Sequence, residues 1–154
     1  MEQSTINTGL LKKVIIISSI ILIVGGLAFA KFAIDSQARN MFREAKNVQL
    51  AMDMLSIEYY GKEMSIFDAD KRNGLADGVA ERIENLSGEK GEIFVTGYNA
   101  KKREVTGFSY ERGMYRVTYR KDKEGTQHWD VDLLINVFKY EKMYEGYHME
   151  IMVE

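Results

Sequence analysis

The chain has 154 residues, with 21 Lys and Arg against 23 Asp and Glu for a formal net charge of −2. That is room for one domain of ordinary size plus an anchor, with too little net charge to mark a nucleic-acid-coating or acidic-tail protein. The absence of cysteine removes disulfide frameworks, thiolate metal sites and cysteine nucleophiles together, and leaves stability to packing. With no proline and 13 glycines, the turns rely on Gly, Asn and Asp.

Residues 14–30 read VIIISSIILIVGGLAFA without a charge, with Lys12 and Lys13 before them and Lys31 after. A spanning helix needs about 20 mainly apolar residues, and this run reaches Ile34 if Lys31 snorkels its amine to the headgroups. The pattern predicts a cytoplasmic segment over 1–13 and a transmembrane helix over 14–34. The Lys12/Lys13 pair on the short flank places the N-terminus in the cytoplasm and the rest outside it, as a single-pass cell-membrane protein. Ala28-Phe29-Ala30 also fits a small-x-small cleavage site, so the alternative is a stand-alone extracytoplasmic binding domain, secreted after cleavage behind Ala30.

The helical pattern continues past the apolar run. Ile34, Ala38, Met41, Ala45, Val48, Met52, Leu55 and Tyr59 follow at spacings of four and three, which predicts an amphipathic helix over 35–60 with one narrow apolar seam, stopped by Gly61. The economical structure is one helix from about Lys12 to Tyr60, about 70 Å long at roughly 1.5 Å per residue. Phe42 beside Met41 widens the stripe, which favours burial against a sheet over a two-helix coiled coil.

Residues 61–154 form the predicted soluble α+β domain. Residues 61–78 are polar and irregular, a connection long enough to carry function or to be mobile. Asp77 reads as an N-cap, Val79, Ile83 and Leu86 as one face of a short helix, and Gly88 as its stop. The period then changes to two, which predicts strands over 92–98, 103–110, 114–121 and 127 to about 137, with a possible edge strand over 147–153. Tyr115, Val117 and Tyr119 oppose Arg116, Thr118 and Arg120, and Trp129, Val131, Leu133 and Ile135 oppose Asp130 and Asp132. An antiparallel meander with one apolar face needs a cover, and the amphipathic half of the long helix has matching length.

This organisation resembles the type IV pilins and type II secretion pseudopilins. The resemblance is carried by residues 14–30 as the apolar half-helix, by Ala38-Arg39, Ala45-Lys46 and Ala51-Met52 in the amphipathic half, and by Val105-Thr106-Gly107-Phe108-Ser109-Tyr110 and Tyr115-Arg116-Val117-Thr118-Tyr119 in the sheet. It implies a structural or interaction protein, a subunit or accessory of a surface filament, secretion or DNA-uptake apparatus, with the membrane and homo- or hetero-oligomeric filament subunits as partners. The only glycine upstream of the apolar run is Gly9, followed by Leu10-Leu11-Lys12-Lys13-Val14; Val14 stands where the family carries the glutamate of its processing motif.

Several short patterns invite a site. Asp68-Ala69-Asp70-Lys71-Arg72-Asn73-Gly74 begins like a calcium loop but puts Arg72 and Asn73 where the loop needs an oxygen ligand and Gly, so an acidic loop is the expectation. His128, His148 and Glu150 lack the short spacing of a metal site. Lys101, Lys102, Arg103, Arg112, Arg116 and Arg120, with Lys121 and Lys123, make a basic cluster along two strands, which reads either as a solvated sheet face or as a patch for nucleic acid or an acidic partner. No Ser/His/Asp set, phosphate loop or paired-carboxylate signature emerges, so neither enzyme activity nor a cofactor or metal is expected.

Overall fold

The computed structural model describes residues 8–134 and 147–150. By internal contacts the chain divides into two compact units, Met1–Gln37 and Ala38–Glu154. The boundary falls within a single α-helix, α1, Thr8–Tyr60.

In the first unit, residues 9–32 are exposed without exception. Isoleucine, leucine, valine and phenylalanine side chains of this kind leave water only if something covers them, and the segment is long and apolar enough to be a candidate membrane span. Its hydroxyls suit such a setting, since Ser19 donates to the Ile15 carbonyl at 2.9 Å and needs no water.

The second unit is α+β. The remainder of α1 is followed by α2 (Val79–Ser87) and by β1 (Glu92–Asn99), β2 (Glu104–Arg112), β3 (Tyr115–Lys121), β4 (Gln127–Leu133) and β5 (Tyr147–Glu150). The strands form an antiparallel meander in the order β1-β2-β3-β4-β5. The predicted faces hold: Tyr115, Val117 and Tyr119 are buried with Trp129, Val131 and Leu133, while Arg116, Thr118, Asp130 and Asp132 take the other side. The end of the fourth predicted strand, with Ile135, and the last residues of the predicted tail strand lie outside the described residues.

The helix seam is the other half of the core. Ala38, Met41, Ala45, Val48, Met52, Leu55 and Tyr59 are all buried, and each fully buried Val, Met or Leu contributes roughly 1.5–3 kcal/mol. Phe42 meets the sheet edge-on at Trp129, with centroids 5.3 Å apart, and Trp129 in turn packs on Tyr119 at 4.6 Å. Lys46 lies 5.0 Å above the Phe42 ring and 5.9 Å from that of Trp129, sheltering the junction with an amphipathic stem. Gly91 is required by close approach: a Cβ there would stand 2.3 Å from the Tyr110 ring.

Two local expectations are corrected. Asp77 does not cap α2; Gly78 holds the N-cap position in the left-handed region at φ 76°, without a side-chain cap, and Asp77 pairs with Lys71 at 2.9 Å. Leu86 does not join Val79 and Ile83 in the core but is 50% exposed. Gly88 ends the helix as expected, its N–H reaching the Glu84 carbonyl at 2.8 Å. The connection over 61–78 contains a small hairpin, with Phe67 bridged to Leu75. Its Asn73 carbonyl accepts the Val95 N–H at 2.9 Å, which blunts the β1 edge.

Arg82 anchors α2 to α1 through a two-pronged contact with Glu58, at 3.2 and 2.6 Å, and Lys62 adds a third at 2.7 Å. The hydrogen bonds from Arg82, then Lys62, hold the Glu58 carboxyl down to about 2 from an ordinary 4.5. A depressed carboxylate stabilises the fold above its unfolded pKa and loses that effect as pH falls through its folded one. Glu58→Gln should therefore lower the melting temperature of the detergent-solubilised chain at about pH 6, with the gap from wild type closing as the pH approaches about 2. The seam makes a sharper prediction: Met52→Ala should cost about 2–5 kcal/mol, and Leu50→Ala, two residues away and exposed, should stay within about 0.5 kcal/mol in the same denaturation experiment.

Candidate functional site

A helix that buries one face on a sheet shows its opposite face to solvent, and that face is normally polar. In α1 it is not. Leu50, Met54 and Ile57 recur at helical spacing and are 62%, 53% and 75% exposed. At about 3.6 residues per turn they stack on one line, on the side of the helix away from Val48, Met52 and Leu55.

α2 carries one large exposed apolar side chain of its own, Leu86. Asn47 donates to Glu89 at 3.0 Å and Arg82 reaches Glu58, so α2 runs antiparallel beside α1 with a polar tie at each end. Arg82 and Leu86, four residues apart, share one stripe of α2, and Glu89 follows the helix end at Gly88. Leu86 lies between the two ties in sequence and is half exposed. The two helices thus expose four large apolar side chains, Leu50, Met54, Ile57 and Leu86, and soluble monomers usually keep such exposure small.

The basic cluster is distributed over several places. Arg112 lies on the helix side of the sheet, its Nη1 2.9 Å from Glu44 and 3.9 Å from Glu89. Tyr110 donates its hydroxyl to the same Glu44 at 2.9 Å; burial, then the neighbouring carboxylate, pushes this phenol well above its usual range. Arg116 lies on the opposite, outer face, its Nε 2.7 Å from Glu111, its cross-strand neighbour. Arg120 is exposed on that face in register with His128. Arg103, at φ 52°, sets its guanidinium 4.6 Å from the centre of the Tyr60 ring. Lys121 pairs with Glu104, which raises the amine's pKa. Lys101 and Lys102 sit in the β1–β2 turn, where the Asn99 side chain accepts both of their backbone N–H groups at 3.1 Å.

In the acidic loop, Asp68 accepts the Asp70 N–H at 3.0 Å and Asn73 accepts that of Leu75 at 3.2 Å, so these side chains shape the hairpin turns. His128 contacts Asp122 at 3.3 Å. The predicted ligand candidates His148 and Glu150 take register positions opposite Asp132 and Asp130.

The chemistry these surfaces offer is binding: apolar cover on the helices and charge at the sheet. Seam reasoning missed the stripe of Leu50, Met54 and Ile57, although its spacing is as regular as that of the buried residues. No known family matches the chain, and no curated protein or solved structure shows significant similarity to it.

Proposed function

We propose that this chain is a membrane-anchored interaction protein of pilin-like design, a subunit or accessory of a surface filament, secretion or DNA-uptake apparatus. Its N-terminus lies in the cytoplasm, residues 14–34 cross the membrane, and the α+β domain stands outside. The observation that carries this reading is the apolar face Leu50, Met54 and Ile57 left exposed on a helix whose other face is buried. Covering that face by a neighbouring subunit would remove three large side chains from water, each contributing up to roughly 1.5–3 kcal/mol when fully buried. A shared membrane would confine the neighbours to the same orientation and raise their effective concentration.

The chain's lack of cysteine makes a direct test available. Met54→Cys in the full chain, expressed in its host membrane, should cross-link into dimers, while Thr96→Cys, exposed on β1, should not. Equal cross-linking at the two positions, or none at Met54, would refute assembly through this face. The anchor has its own test: the intact mass of the mature protein should show the apolar segment retained, with a start at Leu10 also fitting the pilin-like reading, whereas a start at Lys31 would convert the protein to a secreted domain.

A further inference from the structure

We infer that the free edge of β1 at Ile93 takes up a short, basic, extended segment of a partner protein as an added strand, seated in the cleft between β1 and α2. This docking edge is separate from the apolar face of α1 and does not depend on it.

β1 is an edge strand, with β2 on one side only. Its register with β2 is regular from Glu92↔Glu111 to Val95↔Phe108, so successive residues turn their backbone groups alternately toward β2 and away from it. The Val95 N–H points away, because the Asn73 carbonyl accepts it at 2.9 Å. The N–H and C=O of Ile93, two residues earlier, therefore point away as well. The cover given by the hairpin stops at Val95, where Gly74 packs so closely that a Cβ would stand 3.0 Å from the Val95 side chain. Ile93 is only 8% exposed, yet its outward N–H and C=O have no hydrogen-bond partner among the described residues. Buried backbone groups are rarely left in that state, and at a sheet edge the partner that satisfies them is another strand.

Ile93 lies in a cleft of about 550 Å³ that has Asn73 at one end, Glu81 and Glu84 of α2 on one wall, and Glu92 and Phe94 on β1. The charges of this cleft do not cancel. Lys71 pairs with Asp77, Glu84 with Lys90 at 3.8 Å, and Glu89 shares Arg112 with Glu44. Glu81 and Glu92 are exposed and have no ion pair among the described residues, and only Arg72 among the lining cations is left to offset them. In an added strand successive side chains turn to opposite faces. The one opposite Ile93 would face α2 and Glu81, and the one opposite Glu92 would meet that carboxylate across the strands. The acidic excess therefore selects a segment with consecutive lysines or arginines, and it repels phosphate-bearing ligands.

The test titrates the full chain in non-ionic detergent with a blocked, labelled peptide of three consecutive lysines flanked by threonines, and follows amide hydrogen exchange at Ile93. In the free protein the Ile93 amide should exchange faster than that of Val95, and saturating peptide should slow it about tenfold or more. The same peptide with its backbone nitrogens methylated keeps its charge but cannot form the ladder, and it should not bind. Glu81→Lys/Glu92→Lys should weaken binding about fivefold or more at roughly 50 mM salt, whereas Glu124→Lys, an exposed acid outside the cleft, should bind as wild type. The inference is overturned by no binding at about 50 mM salt, by equal binding of the methylated peptide, by a double variant that binds normally, or by an Ile93 amide that the peptide leaves unchanged. Protection of Ile93 that rises with protein concentration alone would seat a second copy of the chain there and overturn it equally.

Discussion

An antiparallel sheet with Trp129, Val131, Leu133, Tyr115, Val117, Tyr119, Phe108 and Tyr110 on one side has no stable existence with that side wet, and the strongest constraint on this molecule is the need to cover it. The half of α1 beginning at Ala38 does so. Val48, Met52 and Leu55 are wholly buried, and the edge-on contact of Phe42 with Trp129 fixes the helix over the sheet. Everything else in the domain is arranged around that contact. The outer sheet face can be polar because the inner one is satisfied, as the pairing of Arg116 with Glu111 illustrates.

The same contact determines which surfaces remain for function. Once α1 commits one face to the sheet, the line of Leu50, Met54 and Ile57 must point away from it. The flank of α1 is then taken by α2, held by Asn47 to Glu89 and by Glu58 to Arg82. Those ties place Leu86 between two polar contacts and half in solvent instead of in the core. The Glu44, Tyr110 and Arg112 cluster closes one end of the helix–sheet interface, and Arg103 on Tyr60 closes the other. Two cations from one apparent basic cluster thus serve the interface, which leaves Lys101, Lys102 and Lys123 for the exposed turns.

Period-three-and-four and period-two patterns report which side of an element is buried, and they did so well for the α1 seam and for the faces of β3 and β4. They do not report partners. Glu44 and Tyr110 are 66 positions apart, and no spacing rule links them. Asp77 had the right residue type for a cap, but Gly78 takes the left-handed turn that enters α2, which leaves the Asp77 side chain one residue too early to reach the first free N–H groups. Leu86 had the right spacing for burial, and only the tertiary ties of Arg82 and Glu89 set it outside. The candidate surfaces divide the same way: the individual basic residues were visible in the chain, whereas their separation onto the helix side, the outer face and the turns follows from register.

The central claim is that one helix has two unlike faces over 48–57, one sealed by the sheet and one apolar yet exposed. Cysteine substitution at each position of that stretch, in the detergent-solubilised full chain under native conditions, reads this directly through the rate of maleimide labelling. The account predicts fast labelling at positions 50, 54 and 57 and strong protection at 48, 52 and 55, a helical period in the rates. Uniformly fast labelling, or protection that falls on 50, 54 and 57 instead, would contradict it.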